Sequence, residues 1–374
     1  MLRKTYLCLA LFLYFPQWLL AQTSYAVAPA PPAFIQEIQD SLQVLMQRYH
    51  VPGLEVALGQ HTRLIWSAGL GYADIENRVP VTPQTKMRVA SISKSLTSAA
   101  IGLLIAEGKL DLDAPIQRYV PSFPEKRWPI TTRQLAGHLA GIRHYRNREF
   151  LSKKHYNSVL DALEVFAQDT LLFKPGTRYS YSSYGWNLIS AVIEGAAKEP
   201  FLQFMYRRVF LPMHMYHTVA EHPDSIIFNR ADFYLLSADS LILNAPYVDN
   251  SVKWAGGGFL STAEDLVRFG TGLLAGELIP RNIVDTLFTS QRTLDGKKTG
   301  YGIGWRTDIR EGQRIVWHTG GAVGGSAVLI LYPEEQIVVA LIANMQGVRL
   351  APIGFWIGRK YQAYRHKERA SFMH

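Results

Sequence analysis

Apolar residues recur at helical spacing near both ends of the chain. Residues 34–49 and 353–364 each place apolar side chains three to four positions apart, and the spacing across 95–198 is also mostly helical. Such spacing lines one face of an α-helix with apolar side chains. The pattern predicts a helix at each end and a helical region in the first half of the chain.

Strand patterns also occur near both ends. Residues 53–74, GLEVALGQHTRLIWSAGLGYAD, are typical of two strands joined by a polar turn near Gly59 and Thr62. Towards the other end, three apolar runs at hairpin spacing predict short strands: RIVWHTG, SAVLILYP and QIVVALIANM. We therefore predict an α+β fold. Its antiparallel sheet takes strands from both ends and is flanked by the N- and C-terminal helices, and a helical subdomain beside it forms a cleft.

The first 26 residues have the features of a signal peptide. Arg3 and Lys4 precede the apolar run 7–20, and small residues follow at Ala21 and Ala26, as in a cleaved export signal. An uncleaved membrane anchor is the alternative, whereas a mitochondrial presequence would be amphipathic and rich in arginine. The segment predicts a protein exported to the periplasm or secreted.

The length of the chain predicts one large domain or two closely joined subdomains. A Pro-rich spacer at 27–33 precedes the domain at 34–366, and a basic tail follows at 367–374. The chain of 374 residues is 48% hydrophobic and 18% charged, which suffices for a sizeable core. The single cysteine, Cys8, lies inside the predicted signal. A disulfide scaffold, a thiol nucleophile and thiolate metal ligands are therefore excluded from the mature domain.

Basic residues outnumber acidic residues by 39 to 30, which gives a formal charge of +9. They are scattered, apart from the cluster RKYQAYRHKER near the C-terminus. This cluster predicts either a solvated basic helix or peripheral contact with a membrane or the cell envelope. No nucleotide-binding loop occurs and no nucleic-acid partner is expected, while the oligomeric state stays open.

A Ser-x-x-Lys spacing occurs once, at Ser91 and Lys94 in MRVASISKSLTSAAIGLLIAEGKL. The apolar pattern becomes helical from Ser91 onward and stops near Gly108, so Ser91 lies at a helix N-terminus, where backbone N–H groups favour developing negative charge. Lys94 returns to the same helix face, and a desolvated lysine can accept the proton of a serine hydroxyl. The alternative makes Ser91 a helix cap and Lys94 a surface lysine.

A second candidate stretch is FKPGTRYSYSSYGWNLISAVIEGAAK. It places Tyr181 and Ser183 on a loop just before a predicted helix, where a tyrosine can shuttle a proton and a short hydroxyl can bond to it. An aromatic packing loop is the alternative. Two other triplets, at 145–147 and 156–158, fit the same Tyr-x-Asn/Ser pattern, so the spacing alone does not choose among them.

Together these stretches resemble the serine beta-lactamase-like superfamily, which includes class C beta-lactamases, D,D-carboxypeptidases and related esterases. The resemblance is strongest to the branch that contains the mitochondrial serine beta-lactamase-like protein. It covers residues 40–350, through segments such as VPGLEVAL, ITTRQLAGHLAGIRHY, GGGFLSTAEDLVRFG, YGIGW and HTGGAVGGSAVLILYPEE, in the family's order.

The resemblance implies a role for each matching residue. Ser91 would be the acylated nucleophile, Lys94 its partner in proton transfer, and Tyr181 the family's base or shuttle; whether Lys94 or Tyr181 is the base stays open. Ser183 stands where many members have asparagine. The backbone N–H groups of Ser91 and Gly321 would form the oxyanion hole.

Two triplets compete for the family's third motif, Lys/His-Thr-Gly. The Lys-Thr-Gly at 298–300 follows a charged turn and precedes YGIGW. The alternative, His318, Thr319 and Gly320, ends a predicted strand and leads through glycines into SAVLILYP, as in the family. We therefore predict the second triplet as the substrate-binding one, together with Ser183. A histidine there is largely neutral near pH 7, which should weaken capture of a substrate carboxylate.

The remaining histidines predict no further chemistry. His214 and His217 are three residues apart without a nearby third ligand, and His138 and His144 are expected to be structural, so no metal and no cofactor is predicted.

The combined prediction is an exported serine hydrolase that acts through an acyl-enzyme on small peptide or ester substrates. An esterase or beta-lactamase on the same scaffold, or a non-catalytic, polymer-forming structural protein, are the alternatives.

Overall fold

The computed structural model describes residues 32–371. The predicted signal peptide and most of the spacer lie outside these residues. Within them the strands are β1 Gly53–Gln60, β2 Arg63–Asp74, β3 Val79–Pro80, β4 Met87–Arg88, β5 Val219–Ala220, β6 Tyr234–Leu236, β7 Ile242–Asn244, β8 Phe259–Ser261, β9 Arg306–Arg310, β10 Gln313–Ala322, β11 Gly325–Tyr332 and β12 Ile337–Ala343.

The helices follow the predicted pattern at both ends of the chain. They are α1 Pro32–Arg48, α2 Ile92–Ala106, α3 Thr132–Ala136, α4 Ser183–Ala197, α5 Phe201–Phe204 with a π-helical continuation Met205–Phe210, α6 Trp254–Gly257, α7 Ala263–Ala275, α8 Arg281–Phe288 and α9 Ala351–Ser371. Short 3₁₀ helices lie at Ile116–Arg118, Glu149–Leu151, Asp161–Val165 and Ser251–Lys253. No helix among residues 32–371 is long and apolar enough to cross a membrane.

The predicted α+β architecture is confirmed. Among the described residues, the main sheet has seven strands in the order β3-β2-β1-β12-β11-β10-β9, and its neighbouring strands are antiparallel. Strands from the N-terminal and C-terminal parts of the chain meet at the centre of the sheet, where Leu54 of β1 lies opposite Ala343 of β12. The hairpin β1–β2 and the strands β10, β11 and β12 match the sequence prediction, whereas the edge strand β9 was not predicted.

The sheet separates two apolar cores. On one face, α1 and α9 pack against alternating side chains of β1, as shown by buried Ile38, Tyr361 and Val56. On the other face, α2 and α7 pack against the sheet and α4 packs against α2, with Leu96, Trp186 and further apolar residues in this core. This second core is continuous with the helical region, so the seam between sheet and helices is where a cleft can form.

The helical prediction for 95–198 is only partly right. Helices α2 and α4 hold its two ends, but the residues between them form loops and short helices. Proline lacks the backbone N–H that continues a helix, and Pro115, Pro121, Pro124 and Pro129 interrupt this stretch. Its apolar residues reach the core from loops instead.

Both predicted domain boundaries fall inside helices. Helix α1 begins at Pro32, within the predicted spacer, and α9 continues to Ser371, within the segment predicted as a basic tail.

Candidate active site

Ser91 lies immediately before α2, at the N-terminal end of the helix. Its side chain makes no capping hydrogen bond to the helix, so the alternative of a capping serine is not what the structure shows. The preceding residue, Ala90, has a φ of 48°, a left-handed conformation that costs energy for a residue with a Cβ. The hydroxyl of Ser91 is thereby presented to other side chains.

Lys94 is fully buried and contacts three groups. Its Nζ lies 3.0 Å from Ser91 Oγ, 3.2 Å from Ser183 Oγ and 2.6 Å from the carbonyl oxygen of Gly256. Burial lowers the pKa of Lys94 well below its ordinary value, and the nearby charge of Lys253 lowers it further. Lys94 is therefore not a surface lysine, and its amine is biased towards the neutral form.

The Tyr181 hydroxyl is the second group on the serine. It donates a hydrogen bond of 3.0 Å to Ser91 Oγ, and Lys94 Nζ lies 5.0 Å from the centre of the tyrosine ring. Burial raises the pKa of Tyr181 above its ordinary value, so its phenol keeps its proton at neutral pH. The structure thus brings Ser91, Lys94 and Tyr181 together.

Two histidines hold the loop that carries Tyr181. The backbone N–H of Ser182 donates to His138 Nδ1, and that of Ser183 donates to His144 Nδ1, each at 3.1 Å. Burial, together with the charge of Lys94, lowers the pKa of both histidines, to about 4 for His144. Each ring is therefore a neutral acceptor, and these residues fix the direction in which Tyr181 and Ser183 point. Their role is structural, as predicted, but it serves the site directly.

The competing tyrosine triplets do not reach the serine. Tyr145 lines the same cavity, with its ring edge against Tyr184, while Tyr156 is buried beside the loop at 249–251. Among the described residues, the hydrogen bonds of Ser91 Oγ go to Lys94 and Tyr181.

His318 lies on β10 and is buried. Its Nδ1 lies 2.6 Å from the carbonyl oxygen of Thr319 and its Nε2 lies 2.8 Å from the hydroxyl of Tyr301. The carbonyl requires a proton on Nδ1, so Nε2 accepts from Tyr301. Burial lowers the pKa of His318 to about 3, which makes the ring neutral. Its side chain is thus engaged within the protein, rather than open to a substrate as expected.

The end of the same strand forms a wall of the cavity. Gly320 packs so tightly that a Cβ there would lie 2.1 Å from the carbonyl oxygen of Val89, so β10 runs directly against the segment that leads to Ser91. Strand β9 pairs only with residues 313–317, which leaves the edge of β10 beyond them without a strand partner on that side. Gly321 lies there, lines the cavity, and has open space where a side chain would be.

The rival triplet at 298–300 lies in a turn. Lys298 is exposed and pairs across a small bridge with Arg292. It does not line the cavity, whereas the strand of His318 does.

The cavity in front of Ser91 has a volume of about 350 Å³. Its lining also includes residues to which the sequence motifs assign no role in the site: His144, Tyr145, Phe150, Asn250, Lys253, Gly256, Gly257 and Ala322. Burial lowers the pKa of Lys253 to about 8, and Arg88 contributes to the decrease. The carbonyl oxygen of Gly256 accepts a hydrogen bond from Lys94.

The described residues offer few groups suited to a metal. His155, His222 and Asp224 form one such group, and an acidic cluster at 74, 76 and 232 forms another. His214 and His217 belong to neither group. Neither group lines the cavity.

The comparison with known proteins agrees with the fold. Residues 38–355 match the protein-family model described as Beta-lactamase. The mitochondrial serine beta-lactamase-like protein LACTB of Mus musculus is 34% identical, over 86% of this chain and 80% of the relative. The Homo sapiens protein of the same name is 35% identical over the same shares.

A solved structure extends the comparison in three dimensions. The octameric penicillin-binding protein homologue from Pyrococcus abyssi superposes with a TM-score of 0.75 and 23% identity, over 86% of this chain and 76% of that one. At this identity the likeness shows the fold. The family match over most of the length confirms the resemblance inferred from the motifs: the chain belongs to the beta-lactamase family of serine hydrolases.

Proposed function

We propose that the protein hydrolyses small peptides or esters through an acyl-enzyme formed on Ser91. The observation that best supports this proposal is that Ser91 Oγ lies 3.0 Å from Lys94 Nζ and 3.0 Å from the Tyr181 hydroxyl, and that Ser91 lines a cavity. In the first step the serine oxygen bonds to the substrate carbonyl carbon and its proton passes to a neighbouring base. The leaving group departs with a proton, and water then cleaves the ester on Ser91.

The contacts of Lys94 favour it as the base. A neutral amine has two N–H donors and one lone pair. The Gly256 carbonyl can only accept, and Ser183 Oγ can accept the second N–H. The lone pair is then left for the hydroxyl proton of Ser91, while Tyr181 donates to the same oxygen. In this arrangement Tyr181 is suited to pass a proton to the leaving group.

Two backbone N–H groups are suited to stabilise the oxyanion. Ser91 stands at the N-terminus of α2, where the helix dipole favours negative charge, and Gly321 lies on the free edge of β10 in the same cavity wall. Donors of this kind typically contribute about 2.7–4 kcal/mol to barrier lowering.

The environment of the third motif supports peptides or esters over beta-lactams. With a neutral, enclosed His318, no permanent cation stands at this position to capture a carboxylate. Lys253 is the cationic side chain that lines the cavity.

Intact-mass analysis tests this proposal. We expect a fluorophosphonate to add one adduct per chain, mapped to the tryptic peptide that contains Ser91, and Ser91→Ala to prevent it. Ser95→Ala, one turn further along α2, is the matched control and should label like the wild type. Equal labelling of Ser91→Ala and wild type, or none in either, contradicts the proposal and favours a structural protein.

We also propose that residues 1–26 direct export, as their composition suggests. The two relatives described above are named as mitochondrial proteins. Their names therefore suggest a different destination from the export that residues 1–26 suggest. The same intact-mass measurement, on protein expressed with its full N-terminus in a bacterium, should show a chain that begins after Ala21 or Ala26. An uncleaved chain retained in the cytoplasm contradicts export.

Burial lowers the pKa of Lys94 most, and the charge of Lys253 should shift further the pH at which the enzyme becomes active. A neutral Lys94 is the reactive form, so labelling should accelerate as pH rises through the pKa of Lys94. The Lys253 charge lowers that pKa; removing it in Lys253→Gln therefore raises the pKa of Lys94 and shifts the acidic limb of the rate profile to higher pH. The measurement is the second-order labelling rate constant against pH. Lys253→Arg keeps a charge and should stay near the wild-type limb; an unchanged limb in Lys253→Gln contradicts the coupling.

A further inference from the structure

Three side chains from two distant segments of the sequence meet outside the catalytic cavity. One ligand atom each from His155, His222 and Asp224 lies within 4.8 Å of the other two, and the two imidazole rings are 5.6 Å apart. The spacing of histidines along the chain predicts no metal site here, because His155 lies far from His222 in the sequence. The fold supplies the proximity that the sequence lacks.

His155 is held in a way typical of metal-binding histidines. Its Nδ1 lies 2.9 Å from Asp249 Oδ2, and the side chain of Asp249 is only 1% exposed, whereas that of His155 is 33% exposed. The other oxygen of Asp249 accepts the backbone N–H of Ser251 at 2.8 Å. A carboxylate that accepts the Nδ1 proton leaves Nε2 with a free lone pair, which is how outer-shell carboxylates orient histidine ligands.

His222 is also held in place. Its ring stacks on Trp254 at 5.4 Å and 27°. The preceding residue, Glu221, receives two hydrogen bonds of 2.7 and 2.8 Å from Arg88 in a buried pair. Little side-chain or backbone freedom is therefore left to be lost when His222 binds a ligand.

We propose that His155, His222 and Asp224 form a zinc-binding site outside the catalytic cavity. Two imidazoles and one carboxylate are a set that zinc accepts, with water in the fourth position, whereas magnesium and calcium prefer oxygen ligands throughout. Asp249 precedes Asn250, which lines the cavity, and Trp254 follows Lys253, which also lines it. A bound ion would fasten the segment of His155 to that of His222 beside the cavity.

Zinc titration of the chelator-treated, tag-free full chain tests the site. We expect calorimetry to show one Zn²⁺ per chain for the wild type. Binding should weaken at least tenfold in His155→Ala and His222→Ala, and about 10–100-fold in Asp249→Asn, the range for outer-shell partners. His366→Ala removes an exposed histidine of α9 and is the matched control, which should bind like the wild type. Co²⁺ should give a d–d absorption band with the wild type that His222→Ala lacks.

Thermal unfolding separates loss of the site from loss of the fold. Zinc should raise the Tm of the wild type and of His366→Ala, but not that of His155→Ala or His222→Ala, although each variant unfolds cooperatively without zinc. If the wild type binds no zinc, or if His155→Ala and His222→Ala bind it as tightly as the wild type, the proposal is wrong. The result is independent of whether Ser91 is acylated, since neither measurement involves catalysis.

Discussion

Replacing Lys94 by methionine is expected to lower the rate of fluorophosphonate labelling at Ser91 by about 10²–10⁴-fold, the contribution of a general base. Methionine has similar length but no amine, so the proton of Ser91 loses its acceptor. The measurement is the second-order rate constant at neutral pH, with the adduct located by mass. The variant should still unfold cooperatively, because the apolar methionine side chain can keep the buried position of the lysine beside α4 and α6.

Lys298→Met is the matched control for this change. Lys298 belongs to the rival Lys-Thr-Gly triplet and is exposed in a turn, so its labelling rate should stay within about twofold of the wild type by our order-of-magnitude expectation for a surface position. Tyr181→Phe removes the donor to Ser91 Oγ but leaves the amine, so it should label faster than Lys94→Met. If a folded Lys94→Met labels within about tenfold of the wild type, below the range for a general base, Lys94 is not the base.

The sequence predicted those parts of the fold whose pattern is local. The strands β1, β11 and β12 are buried along their full length, and their apolar runs are recognisable without tertiary information. The edge strand β9, Arg306–Arg310, is mostly polar and partly exposed, so it has no such pattern. Its pairing depends on β10, which only the folded chain supplies.

The catalytic candidates could be located for a similar reason. Ser91 and Lys94 are one helical turn apart, so their proximity follows from α2 alone. Tyr181 lies 90 positions from Ser91 in the chain, and the family resemblance, not the spacing, distinguished it from the triplet at 145–147. The cavity residue Lys253 belongs to no motif named in the sequence, and His144 lies in a family segment without an assigned role, so their place beside Ser91 requires the completed fold.

The enclosure of His318 shows a further limit of motif reasoning. The motif identified the strand that packs against Ser91, but not the fact that Tyr301 and a backbone carbonyl would occupy both ring nitrogens. Tyr301 comes from the YGIGW segment, so two motifs that seem separate in sequence form one hydrogen-bonded unit. The neutral state of His318 is caused mainly by burial, with a further contribution from the charge of Lys94, and only its weak intrinsic basicity could be inferred from the sequence.

Glu221→Gln is expected to destabilise the protein by about 3–5 kcal/mol, the cost of leaving one member of a buried ion pair without its partner. Arg88 and Glu221 are each 5% exposed and share two hydrogen bonds. Glu221 also accepts from Arg230 at 2.6 Å and from Asn250. Arg88 ends β4, three residues before Ser91, so the pair connects the nucleophile segment to the cavity residue Asn250. The free energy of unfolding from urea denaturation measures the loss.

A surface pair provides the comparison for Glu221. Glu37 bonds to Lys360 at 2.7 Å between α1 and α9, but both side chains are about half exposed, so Glu37→Gln should cost less than about 1 kcal/mol. The double variant Arg88→Met/Glu221→Met should be more stable than Glu221→Gln, because it removes the unpaired buried charge together with its partner. If Glu221→Gln is no more destabilising than Glu37→Gln, the buried pair does not hold β4 against the loop of Asn250. The position of Ser91 must then depend on other contacts of this segment, such as the packing of Gly320 against Val89 and the pairing of β4 with β8.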